Sequence, residues 1–236
     1  MLLILFLIIA FALGSIPFSF IITRGVKNID LRQHGSGNLG ATNVFRAIGP
    51  WWGGLCLFLD MAKGAVAVLL MTLLVNSWPE GHTTPLHITP DLFRIFAGFL
   101  AALGHTFSPF VGFHGGKGVA TTAGAFAVLE PYAILAALVV FGAVFLTSRI
   151  VSLASLAAAS VLPIAVIFFE WHSLETSKTI IVFTLLICGW VIYKHRTNIA
   201  RLREGTEQQI KSSETAEAAP PPAPTEATAS NDPEER

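Results

Sequence analysis

Three short stretches of this chain gather side chains suited to anion chemistry. The first is Ser36-Gly37-Asn38-Leu39-Gly40-Ala41-Thr42-Asn43, followed by Arg46. Its glycines let the backbone turn tightly and expose N–H groups, and its hydroxyls and amides can bond an oxyanion. Arg46 can meet a phosphate through two N–H bonds. A solvated turn that caps the following helix also accounts for the Ser-Gly-Asn fragment.

The second stretch runs Gly104-His105-Thr106-Phe107-Ser108-Pro109-Phe110 and then Gly115-Gly116-Lys117-Gly118-Val119-Ala120-Thr121. Glycines around a lysine at a helix start make an anion site, with free N–H groups and the helix dipole aimed at the ligand. It is not an ATP-binding P-loop. That motif reads GxxxxGK(S/T), whereas Gly118 follows Lys117 and Val111 stands where the first glycine belongs. A tight interhelical turn with an interfacial lysine is the plainer alternative. The third stretch is Lys194-His195-Arg196-Thr197-Asn198-Ile199-Ala200-Arg201-Leu202-Arg203-Glu204-Gly205-Thr206-Glu207. Read blandly, it is a basic juxtamembrane helix beside anionic lipid. Its spacing puts His195, Asn198 and Arg201 on one helix face, able to close a polar pocket opened by the other two stretches.

The elements that position these stretches are membrane helices. Of 236 residues, 53% are hydrophobic and 13% charged, half the charged share of a soluble domain. Net charge is zero, so no bulk basic character points to nucleic acid. Runs of about 20 apolar residues cross the hydrocarbon layer. Such runs predict spans over 1–23, 51–75, 92–113, 150–170 and 178–193. The stretch 118–147 is too long for one span, and Glu130-Pro131 near its middle divides it into 118–129 and 131–147. No Lys or Arg precedes Arg24, so residues 1–23 read as a retained span rather than a cleaved signal peptide.

Charge tests the count. Seven spans with the N-terminus outside put segments 24–50, 113–118, 148–149 and 194–236 on one side, with Arg24, Lys27, Arg32, Arg46, Lys117, Arg149, Lys194, Arg196, Arg201, Arg203, Lys211 and Arg236. The other loops keep Lys178, with Arg94 at a helix start. That skew is the positive-inside pattern, and it makes the chemistry-bearing side cytoplasmic. The expectation is therefore an all-α polytopic fold, with a seven-helix domain over 1–211. Residues 212–236, rich in Pro, Ala and Glu, form a disordered cytoplasmic tail.

Two further features lie in apolar sequence. Asp60 and Lys63 stand three apart in the second span, able to pair across one helix face. Ionisable groups at such depth face the bundle interior, in a structural or a functional role. Cys56 and Cys188 show no metal-ligand spacing and read as packing residues. Taken together, the clusters describe a pocket for phosphate groups beside lipid chains, with no metal array and no acidic pair.

The stretches SGNLGATN, LDMAKG (59–64), GHTFSPFVGFHGGKGVAT (104–121), TSRIVSLAS (147–155) and KHRTNIARLREGTE (194–207) resemble the bacterial acyl-phosphate:glycerol-3-phosphate acyltransferase family. The likeness covers residues 1–207. It implies an inner-membrane enzyme of seven spans with its active site on the cytoplasmic side. It implies acyl transfer from acyl phosphate to the 1-hydroxyl of glycerol 3-phosphate without a cofactor, as the first step of phospholipid synthesis. The enzyme that supplies acyl phosphate is then a partner to expect. By motif, Ser36, Lys117, His195 and Asn198 would be catalytic. Asn38, Thr42, Arg46, Gly115, Gly116, Gly118 and Ser155 would bind substrate. The mechanism is open between His195 as general base, a phosphate dianion of one substrate as the proton acceptor and, ranked last because no base lies next to it in the sequence, Ser36 as a covalent nucleophile. The alternative function is a transporter of a phosphorylated solute, against which stands the lack of an internal repeat.

Overall fold

The computed structural model describes residues 2–78 and 89–210, and its elements are helical throughout. The expected tail at 212–236 and most of the expected outer loop at 76–91 lie outside the described residues. In order the helices are α1 (Leu2–Ser15), α2 (Phe18–Lys27), α3 (Ala41–Ile48), α4 (Pro50–Asn76), α5 (Pro90–Thr106), α6 (Val119–Leu129), α7 (Pro131–Ser148), α8 (Val151–Phe169), α9 (Leu174–Lys194) and α10 (Arg196–Arg203).

Proline sets several of these boundaries. Pro50, Pro90 and Pro131 open α4, α5 and α7 in the first turn, where a missing N–H costs nothing. The expected break at Glu130-Pro131 is therefore present. Pro17 breaks the run expected as one span over 1–23. The break frees two carbonyls, and both are claimed: Ser15 accepts from the Ser108 hydroxyl at 2.5 Å and Ile16 from the Lys63 ammonium at 2.9 Å. The helix expected over 92–113 stops at Thr106, because Ser108-Pro109 cannot continue it, and a short 3-10 turn over Pro109–Val111 follows.

Four helical stretches are long and apolar enough to cross a membrane: 2–27, 50–76, 131–148 and 151–169. A fifth counts if Lys178–Lys194 and Arg196–Arg203, bent by 57° at His195, form one span. Helix α5 has 17 residues and α6 only 11, or about 16 Å at 1.5 Å per residue. Helix α6 is packed inside the bundle against α4 and α5. Its contact with α4 is backbone to backbone, since a Cβ at Gly64 would overlap the Thr121 carbonyl and one at Gly124 the Met61 carbonyl. Small residues allow this approach where no hydrophobic effect drives helices together. Large apolar side chains such as Leu5, Ile8, Val139 and Leu186 cover the outside of the bundle, the inverse of a soluble surface.

Candidate active site

The loop before α3 is tied together by one side chain. Asn43 is buried, and its amide donates to the carbonyls of Leu31, His34 and Asn38 at 2.9–3.3 Å. Its carbonyl oxygen accepts the Ser36 N–H at 3.2 Å. With all its bonding capacity spent on backbone, Asn43 holds Ser36 and Asn38 at the mouth of a cavity. Thr42 and Arg46 follow on α3.

From the opposite side comes the loop ending at Gly118, whose φ of +83° suits glycine and turns the chain into α6. Lys117 precedes that turn and donates to Asn198 Oδ1 at 2.5 Å. Asn198 lies in the first turn of α10, and its own amide N–H donates to Glu207 Oε1 at 2.6 Å. Ser152 Oγ on α8 donates to the same oxygen at 2.7 Å, and Arg201 Nε to Glu207 Oε2 at 2.6 Å. One carboxylate thus gathers α8, α10 and, through Asn198, the α6 loop. Gly205, in the left-handed region at φ +68°, turns the chain so that Glu207 can reach back.

These parts enclose a cavity of about 370 Å³. Ser36, Asn38, Thr42, Arg46, Lys117, Gly118, Ser155, His195 and Asn198 all line it. Gly115 and Gly116 are not among its lining residues, and their N–H groups donate to the Thr106 and His105 carbonyls at 3.0 and 3.2 Å. Open N–H groups remain in the first turn of α6, where Val119 and Ala120 line the cavity. Away from the charged end the lining turns apolar, with Ile134, Ala137, Leu138 and Phe141 of α7, Ala158, Ala159 and Leu162 of α8, and Cys188 and Val191 of α9.

Burial pushes the Lys117 ammonium down to about 8; the Glu207 carboxylate opposes this, while Arg201, Arg46 and Lys194 reinforce it. His195 is pushed down to about 4, first by burial and then by the Lys117 charge. Its Nδ1 lies 2.8 Å from the Val191 carbonyl, which can only accept, so the ring proton sits on Nδ1 and Nε2 keeps a lone pair. Burial alone would raise Glu207, but hydrogen bonds from Ser152, Arg201 and Asn198 outweigh it and hold the carboxyl below its ordinary value. The Ser36 hydroxyl makes no hydrogen bond among the described residues, so no base is joined to it.

The family profile of glycerol-3-phosphate acyltransferases matches residues 4–205. The chain belongs to this family. Its relatives include glycerol-3-phosphate acyltransferases of Trichlorobacter lovleyi, 42% identical over 86% of this chain and 94% of the relative, and of Endomicrobium trichonymphae, 38% identical over 88% and 96%. A crystal structure of an integral membrane glycerol 3-phosphate acyltransferase in its glycerol 3-phosphate form is 35% identical. It superposes with a TM-score of 0.75 over 92% of this chain and 99% of that one. The same enzyme in its lysophosphatidic acid form gives a TM-score of 0.71.

Membership of the family makes this an integral membrane protein and an acyltransferase, and retires the transporter reading. Sequence reasoning missed Glu207, Ser152, Asp60 and His105 as cavity residues. For Glu207 a signal existed, since glycine just after a helix is where a chain reverses. Thr122, a cavity residue with a buried hydroxyl lacking a partner, left no such signal.

Proposed function

We propose that this chain transfers a fatty acyl group from acyl phosphate to the 1-hydroxyl of glycerol 3-phosphate, giving 1-acyl-glycerol 3-phosphate and phosphate. One observation carries the reading: a single cavity joins a cationic end at Arg46, Lys117 and the start of α6 to an apolar slot between α7, α8 and α9. An activated phosphate with a lipid chain has that shape and polarity. The relatives' substrate, glycerol 3-phosphate, supplies the second phosphate.

Acyl phosphate is a mixed anhydride, so the leaving group needs no ATP or metal activation. The protein has to hold two mutually repelling anions together and align a hydroxyl with a carbonyl, an effect that can be worth about 7–11 kcal/mol. Arg46, Lys117 and the α6 N–H groups offset the repulsion. The hydroxyl oxygen bonds to the carbonyl carbon, the carbon–oxygen bond to phosphate breaks, and phosphate leaves. The hydroxyl proton passes to a substrate phosphate. A phosphate monoester has a second pKa near 6, whereas His195 is depressed to about 4 and is the poorer base. Nε2 of His195 then orients the hydroxyl, and the Asn198 amide and the Ser36 and Ser155 hydroxyls complete the polar wall. Offering acyl phosphate, acyl-CoA and acyl carrier protein in parallel to purified enzyme with glycerol 3-phosphate tests the donor. Acyl phosphate alone should give product, and comparable turnover with acyl-CoA would overturn the assignment.

The same reading sets seven crossings in a bacterial inner membrane, with the N-terminus outside and the cavity open to the cytoplasm. The lysine and arginine skew supports it. In a background lacking Cys56 and Cys188, a membrane-impermeant thiol reagent applied to intact cells should label His172→Cys and spare Lys27→Cys. The reverse pattern would invert the topology.

A further inference from the structure

Three ionisable side chains, Asp60 and His105 in the cavity lining and Lys63 behind them, have no part in the chemistry above. Asp60 and Lys63, in the middle of α4, pair at 2.8 Å. His105, near the end of α5, brings Nδ1 to 3.4 Å from Asp60 Oδ1. The three residues are 2%, 5% and 8% exposed. Asp60 Oδ2 accepts from the Cys56 thiol at 3.6 Å, and Lys63 spends a further N–H on the Ile16 carbonyl. Buried ionisable groups are costly within a membrane bundle, and a pair serving only to cancel itself could be replaced by two apolar residues at no loss.

What the cluster touches points to a use. The His105 carbonyl accepts the Gly116 N–H, and the next carbonyl, of Thr106, accepts the Gly115 N–H. The Nε2 edge of the His105 ring lies directly under Gly116, where a Cβ would overlap it. The ring is therefore the floor of the loop that carries Lys117. A ring on a side-chain torsion is a poor floor unless something fixes its rotation. Asp60 is the group that faces it on the Nδ1 side, at electrostatic reach of 3.4 Å with no hydrogen bond joining the two, and Lys63 neutralises Asp60, so that the carboxylate does not draw on the charge of Lys117.

We propose that Asp60 and His105 are a positioning pair that sets the height of the Gly115–Gly118 loop, and with it the placing of Lys117 against the substrate phosphate. The inference rests on the phosphate-binding reading of Lys117. The pair acts through Lys117 rather than on the reacting atoms, so its loss should matter only while Lys117 is present. His105→Ala should lower kcat/KM about tenfold or more in the wild-type background and less than about threefold in a Lys117→Ala background, the signature of coupled sites. His105→Asn, whose amide N–H stands near the position of Nδ1, should recover most of the loss. The fall of kcat/KM at high pH, which reports the ionisation of Lys117, should move in His105→Ala and return toward its wild-type place in His105→Asn. Equal loss in both backgrounds would show that His105 acts independently, as a structural residue does, and would overturn the proposal. Should His105→Ala fail to insert, His105→Asn decides alone: a large fall in rate with the alkaline limb unmoved overturns the pairing. Near wild-type kinetics for Lys117→Ala by itself would remove the underlying reading instead, and that single variant distinguishes the two failures.

Discussion

Replacing Lys117 by alanine should lower kcat/KM by about two to three powers of ten, the usual cost of removing one preorganised charged donor from a transition state. The side chain stands at the entrance of α6 with its ammonium on Asn198, between Arg46 and the first free N–H groups of the helix. The pH dependence gives an independent check. Burial lowers the Lys117 pKa to about 8, so the free enzyme carries this charge below pH 8 and loses it above. The value of kcat/KM, which reports the free enzyme, should be level just below that point and fall about tenfold per unit beyond it. Lys117→Arg should restore only part of the rate, because a guanidinium differs in shape and reach, but it should abolish the alkaline limb, because arginine does not deprotonate in this range. Stability should move the other way. The unfolded chain binds this proton up to about pH 10.4 and the folded chain only up to about 8, so the contribution of Lys117 to stability rises with pH between those values. Wild type minus Lys117→Ala in thermal unfolding isolates that contribution. An alkaline limb that survives in Lys117→Arg would assign the titration to another group.

Glu207→Ala should be equally damaging by a different route. It leaves the Asn198 amide, the Ser152 hydroxyl and the Arg201 guanidinium without their acceptor. An orphaned buried donor costs about 1–3 kcal/mol. Arg201, 40% exposed along its side chain, recovers much of its share from water, whereas Ser152 and Asn198 are buried. The sum is a large part of the stability of a small fold, and activity falls with it because Asn198 holds Lys117. Glu207→Gln keeps the shape but has one accepting oxygen where the carboxylate used two, so it should be intermediate in both melting temperature and kcat/KM. Unchanged melting with lost activity would place Glu207 in direct contact with substrate rather than in support of Asn198.

Apolar runs and proline positions made most of the helices legible in the sequence, including the break at Glu130-Pro131, because hydropathy and the missing proline N–H act within a few residues. Over 1–23 the span stands, as part of the stretch 2–27, but Pro17 divides it into two helices, and over 92–113 Ser108-Pro109 ends α5 at Thr106 although apolar character continues. Composition does not record where the carbonyls freed at Pro17 find donors. Ser108 and Lys63 supply those donors from 93 and 47 positions away.

The chemistry divides in the same manner. The sequence by itself determined that an arginine, a glycine-flanked lysine, a histidine and small polar groups lie on one face of a membrane bundle, since residue types and the side of each loop are local properties. Only the tertiary structure decided that the Gly115 and Gly116 N–H groups meet the Thr106 and His105 carbonyls, that Glu207 organises Asn198, and that Asp60 stands beside the His105 ring that lies against Gly116. Each of these depends on which N–H or ring edge meets which oxygen across separate helices. Arg46 bonds the Gln208 carbonyl across 162 positions of chain, and no periodicity in either segment encodes that meeting. The same holds for the close packing at Gly64 and Gly124, which brings α4 and α6 within backbone contact.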